Sequence, residues 1–169
     1  MWNPFAIVAS FGTRNWLWLT VTIVALDQWT KALISRHLEL FESLTLLPVL
    51  DFMRLHNEGA AFSLLSTASG WQRGFFIAFA LIASCVLLVW ILRLPVHGRH
   101  RLAAALSLVM GGALGNVIDR IRLGHVVDFV RVHWGDWYYP AFNVADSAIT
   151  VGAGLLILDT LLAPKGSDT

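Results

Sequence analysis

Four stretches of the chain are apolar for long enough to cross a bilayer, which takes about 20 mostly apolar residues as a helix. They cover roughly 16–34, 74–94, 102–118 and 144–163. The first is interrupted near its far end by Asp27, Gln28 and Lys31, whereas the second carries no charge before Arg93. The third is short and rich in small residues, and the fourth holds Asp146 near its start and Asp159 near its end. Two intervening segments follow another rhythm. VLDFMRLH at 49–56 and VVDFVRVH at 126–133 are β-branched and partly alternating, bounded by Pro48, Gly59, Gly124 and Gly135. That pattern predicts short strands, extending over roughly 49–65 and 126–133, which form a small outer sheet or merely tie helices together. The aromatic run at 134–139 reads as an interfacial anchor. The expected fold class is an all-α membrane protein of one domain, 1–169, with four transmembrane helices and a small extracytoplasmic β-sheet.

Composition agrees with this pattern. Of 169 residues, 57% are hydrophobic and only 14% charged, against about 45–50% and about 25% in soluble domains. A chain of this size cannot bury that excess in one soluble core, and disorder is excluded on the same grounds. Twelve Lys and Arg against eleven Asp and Glu give no basic field for nucleic acid. Cys85 stands alone, so it forms no internal disulfide and reads as packing. Arg14 precedes a long apolar stretch with no small-residue cleavage site, the mark of a retained first helix.

Basic residues set orientation. An inside amino terminus leaves Arg14, Arg93, Arg99, Arg101 and Lys165 inside, against Lys31, Arg36, Arg54, Arg73, Arg120, Arg122 and Arg131 outside. The raw count opposes that arrangement. Density supports it, because Arg93 to Arg101 holds three arginines and no acid, while the longer outer segments carry Glu39, Glu42, Asp51, Glu58, Asp128 and Asp136. Both termini are therefore expected in the cytoplasm.

Ionisable groups within a span cost a few kcal/mol each and usually line a polar interior. In this topology Asp119, Asp128 and Asp146 lie near the outer surface, and Asp27 in the outer half of the first helix could join them. Two carboxylates at one site share a proton because both cannot ionise comfortably. The ionised member then draws a proton from water while the protonated one donates to a carbonyl, which splits a peptide bond without metal. Structural readings stand beside this one. Asp119 is followed by Arg120, a candidate ion pair at a helix end. Asp27 lies on one helix face with Lys31, four residues on. Asp146 suits a helix N-terminus, and Asp159 reads as a snorkelling interfacial residue.

Other chemistries are poorly supported. No His-Glu-x-x-His, Gly-x-Ser-x-Gly or phosphate-cradling loop is present. His97 and His100 read as a solvated pair, and His125 and His133 around Asp128 give a weak zinc signal. Gly111 and Gly115 form a small-xxx-small face, which usually means close helix packing.

Five blocks occur in order: Asp27-Gln28-Trp29-Thr30-Lys31, Asn57-Glu58-Gly59-Ala60-Ala61-Phe62, Gly111 to Arg120 (GGALGNVIDR), Val127-Asp128-Phe129 and Phe142-Asn143-Val144-Ala145-Asp146. Together they resemble the lipoprotein signal peptidase (signal peptidase II) family of bacteria, over nearly the whole chain. Glu58 departs from the small polar residue expected there. The resemblance implies an aspartic endopeptidase of the cytoplasmic membrane, with Asp128 and Asp146 as the catalytic pair. It implies site-supporting or substrate-binding roles for Asp27, Asn57, Gly59, Asn116, Arg120, Asn143 and Ala145. The substrate would be a prolipoprotein whose cysteine already carries diacylglycerol, cut on the amino side of that cysteine. No metal or organic cofactor is implied, no nucleic-acid partner, and a monomer in membrane lipid is expected. The strands around Asn57 and Asp128 could clamp an extended peptide, with 58–66 part of that clamp. Rival readings are a small proton-coupled transporter, disfavoured by acids gathered at one face and by the lack of repeats, and a structural assembly subunit.

Overall fold

A computed structural model describes residues 12–59 and 71–162. A 3-10 turn, Thr13–Trp16, leads into α1 (Leu17–His37), followed by β1 (Ser43–Leu47), β2 (Leu50–Asn57), α2 (Trp71–Arg93), α3 (His100–Arg122), β3 (Val126–Trp134), β4 (Trp137–Tyr138) and α4 (Val144–Leu162). Residues 60–65 of the expected first strand segment lie outside the described residues. So do Ala60, Ala61 and Phe62 of the second motif, both termini, Ala163 and Lys165.

Three helices, α2, α3 and α4, are long and apolar enough to cross a membrane. The first helix is as long, at 21 residues, but its polar positions dilute it. Those positions face inward: Asp27 and Lys31 are buried while Trp18, Val21, Trp29 and Leu33 are exposed. That distribution, apolar outward and polar inward, is inverted relative to a soluble helix. The third helix runs four residues past the expected 118, so Asp119 lies within it rather than closing it.

Helix α3 is central. Its apolar stretch is 67% buried, against 11% in α2 and 17% in α4. Small residues let the others approach. A Cβ on Gly111 would meet Ile23 Cβ at 3.0 Å and the Thr20 carbonyl oxygen at 3.1 Å, on α1. One on Gly112 would collide with the Ala145 carbonyl oxygen of α4, and with Ile149 Cγ1 at 2.7 Å. One on Gly115 would meet Asp27 Oδ2 of α1 at 2.7 Å, so the small-xxx-small face of Gly111 and Gly115 does pack helices. Gly112→Ala is expected to destabilise the protein by about 1–3 kcal/mol through overpacking, read as a lower thermal midpoint in detergent. Gly154→Ala, where an added Cβ meets nothing within 4 Å, should leave the midpoint in place; equal midpoints for both variants would refute this tight contact.

An apolar core of Ile91, Leu94, Leu102, Ala103, Leu106 and Met110 fills the end of the bundle away from the sheet. There Asp159 meets Arg101 Nε at 3.4 Å and Arg99 Nη1 at 3.7 Å, so the expected snorkelling acid is paired. His100 is not merely solvated: its Nδ1 accepts from Trp16 Nε1 at 3.3 Å. Cys85, expected as packing, is exposed on α2.

At the other end the strands form one antiparallel sheet in the order β1-β2-β3-β4. Leu55 sits opposite Asp128, and Asp51 opposite Arg131. Arg131 grips the Asp51 carboxylate through Nη2 at 2.7 Å and Nε at 3.1 Å, fastening β2 to β3. The aromatic run contains β4, and Trp134, Trp137, Tyr138 and Tyr139 are all exposed, as an interfacial anchor requires.

Candidate active site

The site forms where the sheet meets the C-terminal ends of α1 and α3 and the N-terminal end of α4. Strand β3 carries Asp128, and Asp146 stands in the first turn of α4. Asn143 immediately precedes that helix and caps it. Its Oδ1 accepts the Asp146 N–H at 2.9 Å, while an Asp146 oxygen accepts the Asn143 N–H at 3.3 Å. This reciprocal pair is a capping box. The Asn143 amide nitrogen then donates to Asp128 Oδ1 at 2.7 Å. One asparagine is therefore bonded to both carboxylates.

Two more asparagines complete the arrangement. Asn57 Nδ2 donates to Asp128 Oδ2 at 3.0 Å, and its Oδ1 is held by the Gly59 N–H at 2.9 Å. Gly59 has φ +88, and a Cβ there would meet Phe76 Cε2 at 2.9 Å, so the turn that fixes Asn57 requires glycine. Asn116 Nδ2 donates to Asp146 Oδ1 at 2.8 Å. All three amides are anchored by their oxygens with nitrogens directed at a carboxylate.

Burial and charge set the acidity of Asp128. It is 4% exposed, and desolvation pushes its pKa up from 3.8 to about 6, with the Asp146 charge adding to the rise and Asn57 and Asn143 opposing it. A carboxyl of this kind holds a proton at mildly acidic pH. Arg120 is close enough to interact with both carboxylates electrostatically; its Nη1 donates to the Asn116 carbonyl at 3.4 Å, and its guanidinium lies over the Phe76 ring, 5.2 Å from the centroid.

Asp27 sits behind these groups rather than among them. It is fully buried, accepts the Ala145 N–H at 2.9 Å, and pairs with Lys31 at 2.8 Å. The expected Asp27–Lys31 pair is present. The expected Asp119–Arg120 pair is corrected: Asp119 meets Lys31 across the helices at 2.8 Å and accepts the Val127 N–H at 3.1 Å. Consecutive residues on a helix diverge by about 100°, so Asp119 and Arg120 serve different faces. Sequence reasoning missed Lys31 as the shared partner of both acids, and Gln28, which donates to Asp119 Oδ1 at 2.8 Å.

His125 stacks on His56 with centroids 3.6 Å apart, and burial pushes both below the ordinary histidine value, which keeps the facing rings neutral. His133 lies 3.5 Å from Asp51 on the far part of the sheet. Among the described residues, no three His, Cys, Asp or Glu side chains converge as metal ligands.

Two cavities flank the carboxylates. One of about 430 Å³ is lined by Asp128, Asn57, Glu58 and His56. The other, about 290 Å³, is lined by Asp146, Tyr139, Phe142 and Val151, and Val151 is exposed on the outer face of α4.

Comparison with known proteins decides the family. The family model for signal peptidase II matches residues 19–162. The chain belongs to the signal peptidase II family. Lipoprotein signal peptidase of Pseudomonas aeruginosa (strain UCBPP-PA14) is 50% identical over 163 residues, covering 95% of this chain and 96% of the relative. That of Pseudomonas fluorescens (strain Pf0-1) is 51% identical over 162 residues, covering 94% of each. A solved bacterial membrane enzyme superposes with a TM-score of 0.78 at 31% identity, covering 89% of this chain and 94% of its own. As a signal peptidase II, the protein is an aspartic-type peptidase of the membrane.

Proposed function

We propose that Asp128 and Asp146 are the catalytic pair of a peptidase that removes signal peptides from diacylglyceryl-modified prolipoproteins, on the amino side of the lipidated cysteine. The observation that carries this reading is Asn143, bonded to both carboxylates at once. A water between the acids loses a proton to the ionised carboxylate as its oxygen attacks the scissile carbonyl. The protonated acid donates to the carbonyl oxygen, and collapse of the tetrahedral species delivers a proton to the departing amine. The raised pKa of Asp128 suits a member that holds a proton; the pair titrates as a unit. Arg120 contributes positive charge beside the two carboxylates.

The same reading gives α1 as a fourth membrane span, its polar face turned to the bundle. Both termini are then cytoplasmic, with Arg93, Arg99 and Arg101 inside and the sheet on the outer surface. A monomer suffices, since both acids come from one chain. The polar cavity at Asp128 takes the peptide, clamped by β2 and β3, and the cavity beside Val151 takes the lipid from the bilayer. The proposed contribution of 58–66 to that clamp falls largely outside the described residues.

The test uses a precursor with and without its diacylglyceryl group. Cleavage of the lipidated form should exceed that of the unlipidated form at least about a hundredfold in kcat/KM, because remote binding energy is used at the reacting centre. Chelator should leave the rate unchanged. Equal cleavage of both forms would reject the lipid-modified substrate, and chelator sensitivity would reject a metal-free pair.

A further inference from the structure

The ammonium of Lys31 is used in full. It is 3% exposed, and Nζ meets Asp27 Oδ2 at 2.8 Å, Asp119 Oδ2 at 2.8 Å and Asn116 Oδ1 at 3.0 Å. Two carboxylates already outnumber one cation, so the third bond adds nothing to charge balance. What it does is orient Asn116. An amide rotated by half a turn would press its NH₂ against an ammonium, which has no acceptor, and its oxygen against the Asp146 carboxylate, which when ionised has no donor. Asn143 Nδ2, 3.3 Å from the same Asn116 oxygen, reinforces the choice.

We propose that Lys31 is a positioning residue of the cleavage reaction, acting through Asn116: by holding the amide oxygen it obliges the amide nitrogen to donate to Asp146. The chain of contact runs from Lys31 to Asn116 to Asp146 through bonds of 3.0 and 2.8 Å, and Lys31 itself touches neither carboxylate of the pair. This inference rests on the assignment of Asp128 and Asp146 as that pair. Lys31 differs from Asp27, which acts on the backbone of Ala145, and from Arg120, which bonds the Asn116 carbonyl and acts on the two acids through its charge.

The experiment is a double-mutant cycle in the full-length protein, with a lipidated precursor as substrate and Asp128→Asn and Asp146→Asn as controls. Lys31→Met should lower kcat about a hundredfold with KM unchanged within twofold. Asn116→Ala should do the same, and the double variant should lose no more than Asn116→Ala alone, since residues acting as one unit are non-additive. Lys31→Met leaves two buried acids without a cation, so the cycle is repeated with Lys31→Met/Asp119→Asn, which keeps the net charge of the cluster and leaves no donor at position 31. That variant carries the test if Lys31→Met fails to fold. A folded variant with kcat within threefold of the parent overturns the inference, as do multiplicative losses in the cycle, which mark a merely structural lysine. Activity surviving in Asp128→Asn or Asp146→Asn overturns the pair itself; inactive controls beside active Lys31 variants overturn the lysine's role alone.

Discussion

Replacing either Asp128 or Asp146 with Asn should abolish cleavage of a lipidated precursor, with kcat reduced at least about a thousandfold, the scale of a lost general acid or base. Asn is nearly the same size, so the helices and sheet should persist, as circular dichroism would report. Stability offers an independent readout. The folded-state pKa of Asp128, about 6, lies above its usual 3.8, so between those values the native state binds more protons than the unfolded one. Stability therefore falls as pH rises from about 4 to about 6, by at most about 3 kcal/mol at 1.36 kcal/mol per unit. Asp128→Asn removes that fall. Above pH 6 the inactive variant should melt higher relative to its own value at pH 4 than the parent does. A folded variant that still cleaves would refute the pair, and a parent whose stability does not fall over this range would refute the raised pKa.

Asn143→Ala should show the second large effect, a loss in kcat of about a hundredfold with a stability cost of about 1–2 kcal/mol. The stability term is the lost N-cap. The rate term comes from Asp128 losing the Asn143 side-chain donor, while the backbone N–H that bonds Asp146 stays in place. Two comparisons separate them. Asn143→Ser retains an oxygen able to accept the Asp146 N–H, so it should recover most of the melting temperature while the rate stays low. The Asp128 carboxyl, followed by infrared absorption, should titrate higher in Asn143→Ala, because the bond from Asn143 lowers its pKa. Recovery of rate in the serine variant would show that the cap alone matters.

Helices α2, α3 and α4 were legible because each is apolar over a length that can cross a membrane, and α1 because its apolar stretch continues around Asp27, Gln28 and Lys31. Strands β2 and β3 were legible from β-branched runs bounded by Pro and Gly. The first strand was not, since all five of its residues are exposed and burial imposes no alternation on them. The five motif blocks marked the polar positions that meet at the sheet. The geometry joining them was partly readable too: Asn143-x-x-Asp146 has the spacing of a capping box, a signal that the reading of Asp146 as a simple N-terminal charge passed over. Lys31 could not be placed this way. Its partners Asn116 and Asp119 lie more than eighty residues away on another helix, and only the crossing of α1 over α3 brings them together.

The short connection between β4 and α4 has a mechanical consequence. Phe142, one residue before the cap, exchanges backbone hydrogen bonds with Val130 at 2.8 and 3.0 Å and also accepts the Phe129 N–H at 3.0 Å. Asp128 and the start of α4 are thereby riveted into one stiff piece. Helix α2, by contrast, packs among the described residues chiefly on α3 and the amino-terminal turn, with Phe76 beside Gly59. Displacement of α2 would leave the Phe142 bonds in place, and with them the spacing of the two acids, because none of them is made by that helix.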